Sequence, residues 1–208
     1  MNPGNILRRL SPLIPYVAVG VGVYCLHSAW IALISYHAAM LAVVILGRGS
    51  GMGSVTKRRL WSCWILTVAL YTAGGIALYA IWPCVWPEGG FVRARLADLG
   101  VNRQNWPYFA LYFCCLNSLI EELFWRGYLG QDSRRPTLRD AAFAGYHSLV
   151  LLAFTRALWA IPVFAGCVFA AWLWRMMRAA TGSLVLPVIT HLAVDLAIVT
   201  AVHLRVFA

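Results

Sequence analysis

Residues 183–203 decide the fold class, and their sequence is SLVLPVITHLAVDLAIVTAVH. The run is almost wholly apolar, and its length matches the roughly 20 residues that an α-helix needs to cross the hydrocarbon layer of a bilayer. Two of its ionisable residues, His191 and Asp195, lie four positions apart and therefore share one face of such a helix. The segment predicts a transmembrane helix that carries polar side chains at membrane depth.

Similar apolar runs fill most of the chain. The sequence has 208 residues, of which 62% are hydrophobic and 12% charged, whereas soluble domains average about 45–50% and about 25%. This composition argues against a soluble globule, and it excludes an intrinsically disordered chain more firmly, because disorder needs low hydrophobicity. The further apolar runs are 12–46, 60–82, 108–130, 141–154 and 158–174. We therefore expect an all-α polytopic membrane helix bundle of about seven transmembrane helices, folded as a single membrane domain over 1–208.

Two regions complete this expected architecture. The run 12–46 is too long for one transmembrane helix and just long enough for two short ones, with a tight turn at His27 and Ser28. A single tilted helix is the alternative. The polar stretch 91–99 has apolar residues at helical spacing with charged residues between them, which predicts a short helix at the membrane surface.

The charge pattern predicts the orientation. The formal net charge is +10, and the basic residues interrupt apolar runs, as in the cytoplasmic loops of a membrane protein rather than on the basic face of a nucleic-acid-binding domain. With the N-terminus inside, the cytoplasmic segments hold Arg8, Arg9, Arg48, Lys57, Arg58, Arg59, Arg134, Arg135, Arg139, Arg175 and Arg178, and the outer segments hold Arg93, Arg95, Arg103, Arg156 and Arg205. We therefore expect a multi-pass protein of the cell membrane with a cytoplasmic N-terminus and no nucleic-acid partner. A single helix over 12–46 would move the N-terminus to the other side.

Three acidic residues and two histidines lie well inside the fourth, fifth and seventh predicted spans: Glu121 and Glu122 in the fourth, His147 in the fifth, and His191 and Asp195 in the seventh. Such groups are costly at membrane depth and tend to be paired and functional. At about 1.5 Å per residue, Glu121, His147 and His191 lie roughly 10–14 Å from the cytoplasmic ends of their helices. This common depth predicts one site that opens toward the cytoplasm, rather than scattered hydrogen bonds between helices. His27 and His37 we interpret as turn or packing residues.

Spacing within the helices suggests roles. Glu122 and Arg126 are four residues apart and can form an ion pair, which leaves Glu121 as the freer carboxylate and a candidate general base. Phe143 and His147 likewise share one helix face. One glutamate with two histidines also suits a catalytic zinc site, so the residue types alone do not exclude a bound metal.

Three motifs give the chain a resemblance to a known family. Glu121-Glu-Leu-Phe-Trp-Arg126 matches EExxxR, Phe143-Ala-Gly-Tyr-His147 matches FxxxH, and His191-Leu-Ala-Val-Asp195 matches HxxxN/D. In this order on the fourth, fifth and seventh predicted membrane helices, they resemble the CPBP family of CAAX prenyl endopeptidases and bacteriocin-processing enzymes, also called the Abi family. The resemblance covers about 108–197, within an expected core of about 108–204, whereas the N-terminal helices over about 12–82 carry no motif.

The resemblance implies an intramembrane endopeptidase of the glutamic type, with no cofactor, acting on a protein or peptide substrate in the bilayer. Glu121 would activate water, His147 would position that water, and His191 with Asp195 would stabilise the oxyanion. The supporting residues would be Glu122, Arg126 and Phe143. The prenyl-protein branch typically has Asn where this chain has Asp195, and an ionised carboxylate repels an oxyanion. Asp195 must therefore be protonated, or it must orient His191.

Three other functions are compatible with parts of this pattern. A zinc-dependent version of the protease would use the same residues. A non-catalytic immunity or partner protein would keep the fold but would not need Glu121. A small transporter or channel would need polar groups along a whole path, and the outer halves of the motif-bearing spans contain few. The sequence leaves the oligomeric state and the identity of the substrate open.

Overall fold

The computed structural model describes residues 3–47, 57–86, 90–131 and 133–208, with only the backbone at 3 and 57–64. Arg48, one of the arginines expected on the cytoplasmic side, lies outside these residues. The described residues form helices and no strand, which confirms the all-α fold class. The eight helices are α1 (Gly4–Cys25), α2 (Ala29–Leu46), α3 (Lys57–Val85), α4 (Phe91–Asp98), α5 (Trp106–Tyr112 continuing to Glu122–Tyr128), α6 (Leu138–Leu152), α7 (Ala160–Thr181) and α8 (Val185–Val202).

Five of these helices, α1, α2, α3, α7 and α8, are long and apolar enough to cross a membrane. The other two predicted spans are present as α5 and α6, but they depart from a simple apolar span. α6 has 15 residues, fewer than the roughly 17–25 of a usual transmembrane helix. α5 carries Glu121, Glu122 and Arg126 near its C-terminal end. The two irregular spans are therefore those that bear the EExxxR and FxxxH motifs.

The run 12–46 forms two helices rather than one. The chain turns between α1 and α2 at His27, whose φ of 48° lies in the left-handed region. Ser28 then caps α2, because its hydroxyl accepts a hydrogen bond from the backbone amide of Ile31. The two helices approach closely at Gly22, where a Cβ atom would lie 2.6 Å from backbone atoms of Ala32.

The short helix expected at 91–99 is present as α4. Its apolar side chains Val92 and Leu96 are buried in a cluster that also contains Trp82, Trp106 and Phe207. The helix thus closes one end of the bundle, where α3, α5 and the segment that follows α8 meet.

α7 is longer than the predicted span 158–174. It continues to Thr181 and ends at Gly182, whose φ of 68° is the left-handed conformation that often terminates helices. Arg175 is therefore a helix residue and not a loop residue. Its side chain is buried and pairs with Asp140 at 2.8 Å, so a charge that suggested the end of the span is instead neutralised within the protein.

α5 lies at the centre of the bundle, in contact with α2, α7 and α8. It contains two π-helical segments, Phe113–Asn117 and Glu122–Tyr128, which flank the short α-helical turn Ser118–Glu121. Such widened turns are frequent at functional sites because they redirect side chains that a regular helix would place elsewhere. The paired glutamates lie at the junction of the second segment.

Candidate active site

The structure brings together all seven residues that the sequence singles out. Glu121 and Glu122 on α5, with His191 and Asp195 on α8, are at most 3% exposed. Arg126 and Phe143 are buried beside them. The side chain of His147 on α6 is 28% exposed, which makes it the accessible member of the cluster.

Glu122 binds two cationic or potentially cationic side chains through one oxygen. Arg126 Nη1 donates to Glu122 Oε1 at 2.9 Å, as the spacing of the two residues predicts. His191 Nδ1 lies 2.9 Å from the same oxygen. An ionised carboxylate only accepts hydrogen bonds, so Nδ1 carries the proton and donates it. The contact fixes the orientation of the imidazole and directs its other nitrogen, Nε2, toward Glu121.

Aromatic rings enclose this ion pair. The guanidinium carbon of Arg126 lies 4.4 Å from the ring centre of Phe143 and 5.0 Å from that of Trp174. Trp174 also stacks on the His191 ring at 4.1 Å. These contacts desolvate the charges and restrict their side chains to one arrangement.

Glu121 has one occupied oxygen and one free oxygen. Its Oε1 accepts hydrogen bonds from the hydroxyls of Tyr146 at 2.5 Å and Tyr36 at 3.1 Å. Its Oε2 is buried and has no hydrogen-bond partner among the described residues. That oxygen lies 3.9 Å from His147 Nε2 and 3.7 Å from His191 Nε2. Both distances exceed a direct hydrogen bond and suit contacts made through a bridging molecule.

His147 is held by its own helix. Its Nδ1 lies 2.9 Å from the carbonyl oxygen of Phe143, one turn earlier in the FxxxH motif. A carbonyl oxygen only accepts, so Nδ1 donates the hydrogen bond. In the neutral imidazole the second nitrogen, Nε2, therefore presents a lone pair toward Glu121.

Asp195 lies behind His191 and contacts an amide. Its Oδ2 accepts a hydrogen bond from Asn117 Nδ2 at 3.1 Å, and its Oδ1 lies 3.7 Å from His191 Nε2. The Tyr36 hydroxyl has a single proton, which it shares between Asn117 Oδ1 and Glu121 Oε1. Asn117 Oδ1 also accepts a hydrogen bond from His37 Nε2. Asn117 thereby connects the third motif to α2.

Four polar side chains of this network were not predicted as site residues: Tyr36, His37, Asn117 and Tyr146. His37, interpreted from the sequence as a packing residue, is buried and hydrogen-bonded within the polar network. Two sequence signals could have found part of the set. Asn117 lies one helical turn before Glu121, and Tyr146 directly precedes His147. No signal in α2 marked Tyr36.

The atoms that a cation would meet here are Glu121 Oε2 and the Nε2 atoms of His147 and His191. Within the described part of the chain, no group of three or more His, Cys, Asp or Glu side chains is arranged to hold a metal ion. Catalysis without a metal or cofactor stays a prediction. Glu121, His147 and His191 could act either as metal ligands or as metal-free catalytic groups.

Comparison with known proteins agrees with the motifs. Residues 103–197 match the family model described as type II CAAX prenyl endopeptidase Rce1-like. No curated protein and no solved structure matches the chain. The matched residues begin just before α5 and end within α8, and they include all seven predicted site residues. α2, which contributes Tyr36, lies outside the match.

Proposed function

Because residues 103–197 match the family model described as type II CAAX prenyl endopeptidase Rce1-like, we propose that this protein is an intramembrane endopeptidase of the glutamic type. Its substrate is a membrane-associated protein that carries a C-terminal or leader signal. The observation that carries the proposal is the free Glu121 Oε2 atom, which faces the Nε2 atoms of both His147 and His191.

Glu121 and His147 activate the attacking water. A water between them donates one hydrogen bond to Glu121 Oε2 and the other to the lone pair of His147 Nε2. As its oxygen attacks the carbonyl carbon of the scissile bond, the proton passes to Glu121. The Phe143 carbonyl supports this role, because its hydrogen bond with Nδ1 keeps the lone pair on Nε2.

His191 stabilises the oxyanion that forms on the substrate. Its Nδ1 proton is engaged with Glu122, so Nε2 becomes a donor only when the ring is an imidazolium. Three carboxylates near the ring favour that form: Glu122 at 2.9 Å, and Glu121 and Asp195 each at 3.7 Å. The intermediate then collapses with cleavage of the C–N bond, and Glu121 returns its proton to the leaving amine.

Asp195 acts through His191. Its carboxylate is held by the Asn117 amide and faces the His191 ring. The sequence leaves two possibilities for Asp195, either that it is protonated or that it orients His191. This placement supports the second. The family's alternative residue at this position, Asn, can orient the same ring as a neutral hydrogen-bonding group.

Tyr36 and Tyr146 are positioning residues. Both hydroxyls donate to Glu121 Oε1, which leaves Oε2 as the basic oxygen and directs it at the histidines. Hydrogen bonds to a charged group are among the stronger ones in proteins. Tyr146 belongs to the motif-bearing helix α6, whereas Tyr36 extends the site to α2.

The site opens toward the cytoplasm in this proposal. The distribution of arginines supports a cytoplasmic position for the C-terminal end of α5 and the N-terminal end of α6. The contact between Arg8 and the Gly130 carbonyl, at 3.3 Å, puts the start of α1 at the same end of the bundle. This supports a cytoplasmic N-terminus, because α1 and α2 are separate helices.

The proposal is tested by comparing protein termini in membranes from cells that express the wild-type protein, Glu121→Ala or His147→Ala. Asp98→Asn is the control, since Asp98 is a partly exposed carboxylate on α4, away from the site. We expect new termini in wild-type and control membranes that are lost in both site variants. Unchanged termini in Glu121→Ala would refute the protease, and full biological activity of that variant would support the non-catalytic partner protein.

A further inference from the structure

His37 is a buried histidine with a polar partner at each ring nitrogen. It lies on α2, outside the family match, and is 2% exposed. Its Nε2 atom lies 3.2 Å from Asn117 Oδ1, and its Nδ1 atom lies 3.2 Å from the Tyr112 hydroxyl. An amide oxygen only accepts, so Nε2 carries the proton, and in the neutral ring Nδ1 then accepts from Tyr112. Both nitrogens are thus engaged within the protein, and His37 can act on the site only through Asn117.

The Asn117 amide connects His37 with two carboxylates of the site. Its Nδ2 atom donates to Asp195 Oδ2 at 3.1 Å. Its Oδ1 atom contacts the Tyr36 hydroxyl, which also lies 3.1 Å from Glu121 Oε1. A hydroxyl has one proton, so Asn117 and Glu121 compete for it. The orientation of this one amide therefore affects both Asp195 and the proposed base.

The shape of the amide does not fix its orientation. The oxygen and nitrogen ends are nearly equal in size, and a tyrosine hydroxyl can face either end because it both donates and accepts. Asp195 requires the nitrogen end, since its Oδ2 atom accepts. The N–H of His37 requires the oxygen end and gives that oxygen a donor of its own. With both partners in place, the Tyr36 proton is left for Glu121.

We propose that His37 is a positioning residue, which holds the Asn117 amide toward Asp195 and leaves the Tyr36 proton for Glu121. The inference rests on the proposed endopeptidase function, because it concerns the base of that reaction. Without His37, the buried Asn117 oxygen either takes the Tyr36 proton or loses a partner, and each alternative costs free energy. Turning the amide over would offer Tyr36 an N–H, but it would place an oxygen against the Asp195 carboxylate.

The substitution Asp195→Asn should remove this conflict. The new amide can donate to the Asn117 oxygen, so the Asn117 amide can turn over and give its own N–H to the Tyr36 oxygen. The Tyr36 proton is then available to Glu121 without His37. Loss of the His37 N–H should therefore lower activity in the wild type and have little effect in Asp195→Asn. A histidine that served packing alone would matter equally in both backgrounds.

The test compares cleavage kinetics of the full-length protein in bilayer nanodiscs, with a substrate identified from the membrane termini. His37→Phe keeps a ring without an N–H, and we expect kcat to fall about tenfold with KM within about twofold. His37→Gln keeps an N–H donor and should stay within about threefold of the wild type. Added to Asp195→Asn, His37→Phe should lower kcat by less than about twofold. His203→Phe is the matched control at an exposed histidine beyond α8 and should match the wild type.

Equal losses from His37→Phe in the two backgrounds would overturn the proposal, as would full activity of His37→Phe in the wild-type background. If His37→Phe does not fold, His37→Met gives the same comparison, because methionine is apolar and adapts to irregular gaps.

Thermal unfolding in detergent separates this inference from the proposed function, because it needs no substrate. The loss of stability from His37→Phe should be smaller in Asp195→Asn than in the wild type. Such coupling in a protein that cleaves nothing would refute the endopeptidase and support the hydrogen-bond assignment. Additive losses of stability would overturn the assignment itself.

Discussion

His191 Nε2 lies 3.7 Å from Glu121 Oε2, while Nδ1 of the same ring is 2.9 Å from Glu122 Oε1. One imidazole thus links the two adjacent glutamates of the EExxxR motif, although their side chains leave α5 in different directions. The two glutamates therefore have different roles. Glu122 orients the histidine, and Glu121 keeps one oxygen free for the reaction.

The Glu122–Arg126 pair should matter for stability and for activity in separable ways. Glu122→Gln leaves Arg126 as a buried charge without its partner, which should cost about 3–5 kcal/mol. It also removes the carboxylate that fixes His191, so kcat should fall by about 100-fold or more. Thermal unfolding in detergent and a cleavage assay measure the two effects.

A double variant separates these effects. In Glu122→Gln with Arg126→Met, both charges are gone and a buried apolar side chain replaces the arginine, so much of the lost stability should return. Activity should stay low, because His191 still lacks its carboxylate. Recovery of activity together with stability would show that the pair acts only by holding the fold.

Tyr146→Phe and Tyr36→Phe should lower kcat without changing KM. Each removes one hydrogen bond to Glu121 Oε1, and a hydrogen bond to a charged group contributes about 1.5–3 kcal/mol. We therefore expect kcat to fall by about 10- to 100-fold in each variant. Tyr16→Phe is the matched control, because its hydroxyl donates to the Ala142 carbonyl and not to Glu121. A rise in KM with an unchanged kcat would argue against positioning.

Asp195→Asn should retain activity within about tenfold of the wild type, because an amide can still orient His191. Asp195→Leu should lose far more, since Asn117 Nδ2 and the His191 ring would both lack a polar partner. Steady-state cleavage by the two variants measures the difference. Equal losses would show that the carboxylate itself takes part in the chemistry.

A strong chelator should leave cleavage unchanged if no metal takes part. The expected result is the same rate before and after dialysis against EDTA, with less than one equivalent of zinc per chain by elemental analysis. Loss of activity that zinc restores would establish the metalloprotease alternative, with Glu121, His147 and His191 as its ligands.

Much of the architecture follows from local sequence, because an apolar run of about 20 residues directly indicates a transmembrane helix. The turn at His27, the short helix over Phe91–Asp98 and the Glu122–Arg126 pair were all predicted from pattern and spacing. The extension of α7 was not predicted, because Arg175 marks the end of an apolar run. Only the tertiary contact with Asp140 makes its burial favourable.

The candidate site likewise contains residues that local sequence identifies and residues that it does not. The three motifs place ionisable groups on helices at one depth, and spacing then identifies which of them share a face. Tyr36 could not be identified in this way. It lies 85 positions from Glu121 in sequence, in a helix without a motif, and only the packing of α2 against α5 brings its hydroxyl to the carboxylate. Contacts between distant helices depend on packing that local pattern does not specify.

The central claim is that Glu121 acts as the base that activates water, and single-turnover cleavage by Glu121→Gln tests it most directly. The protein would be reconstituted in bilayer nanodiscs with a substrate identified from the comparison of membrane termini. Glutamine keeps the size of the side chain and can accept the Tyr146 and Tyr36 hydrogen bonds, but it cannot take a proton. We predict a rate at least about 1,000-fold below that of the wild type, with unchanged substrate binding. A rate within tenfold of the wild type, from a variant that is folded and binds substrate, would contradict the account.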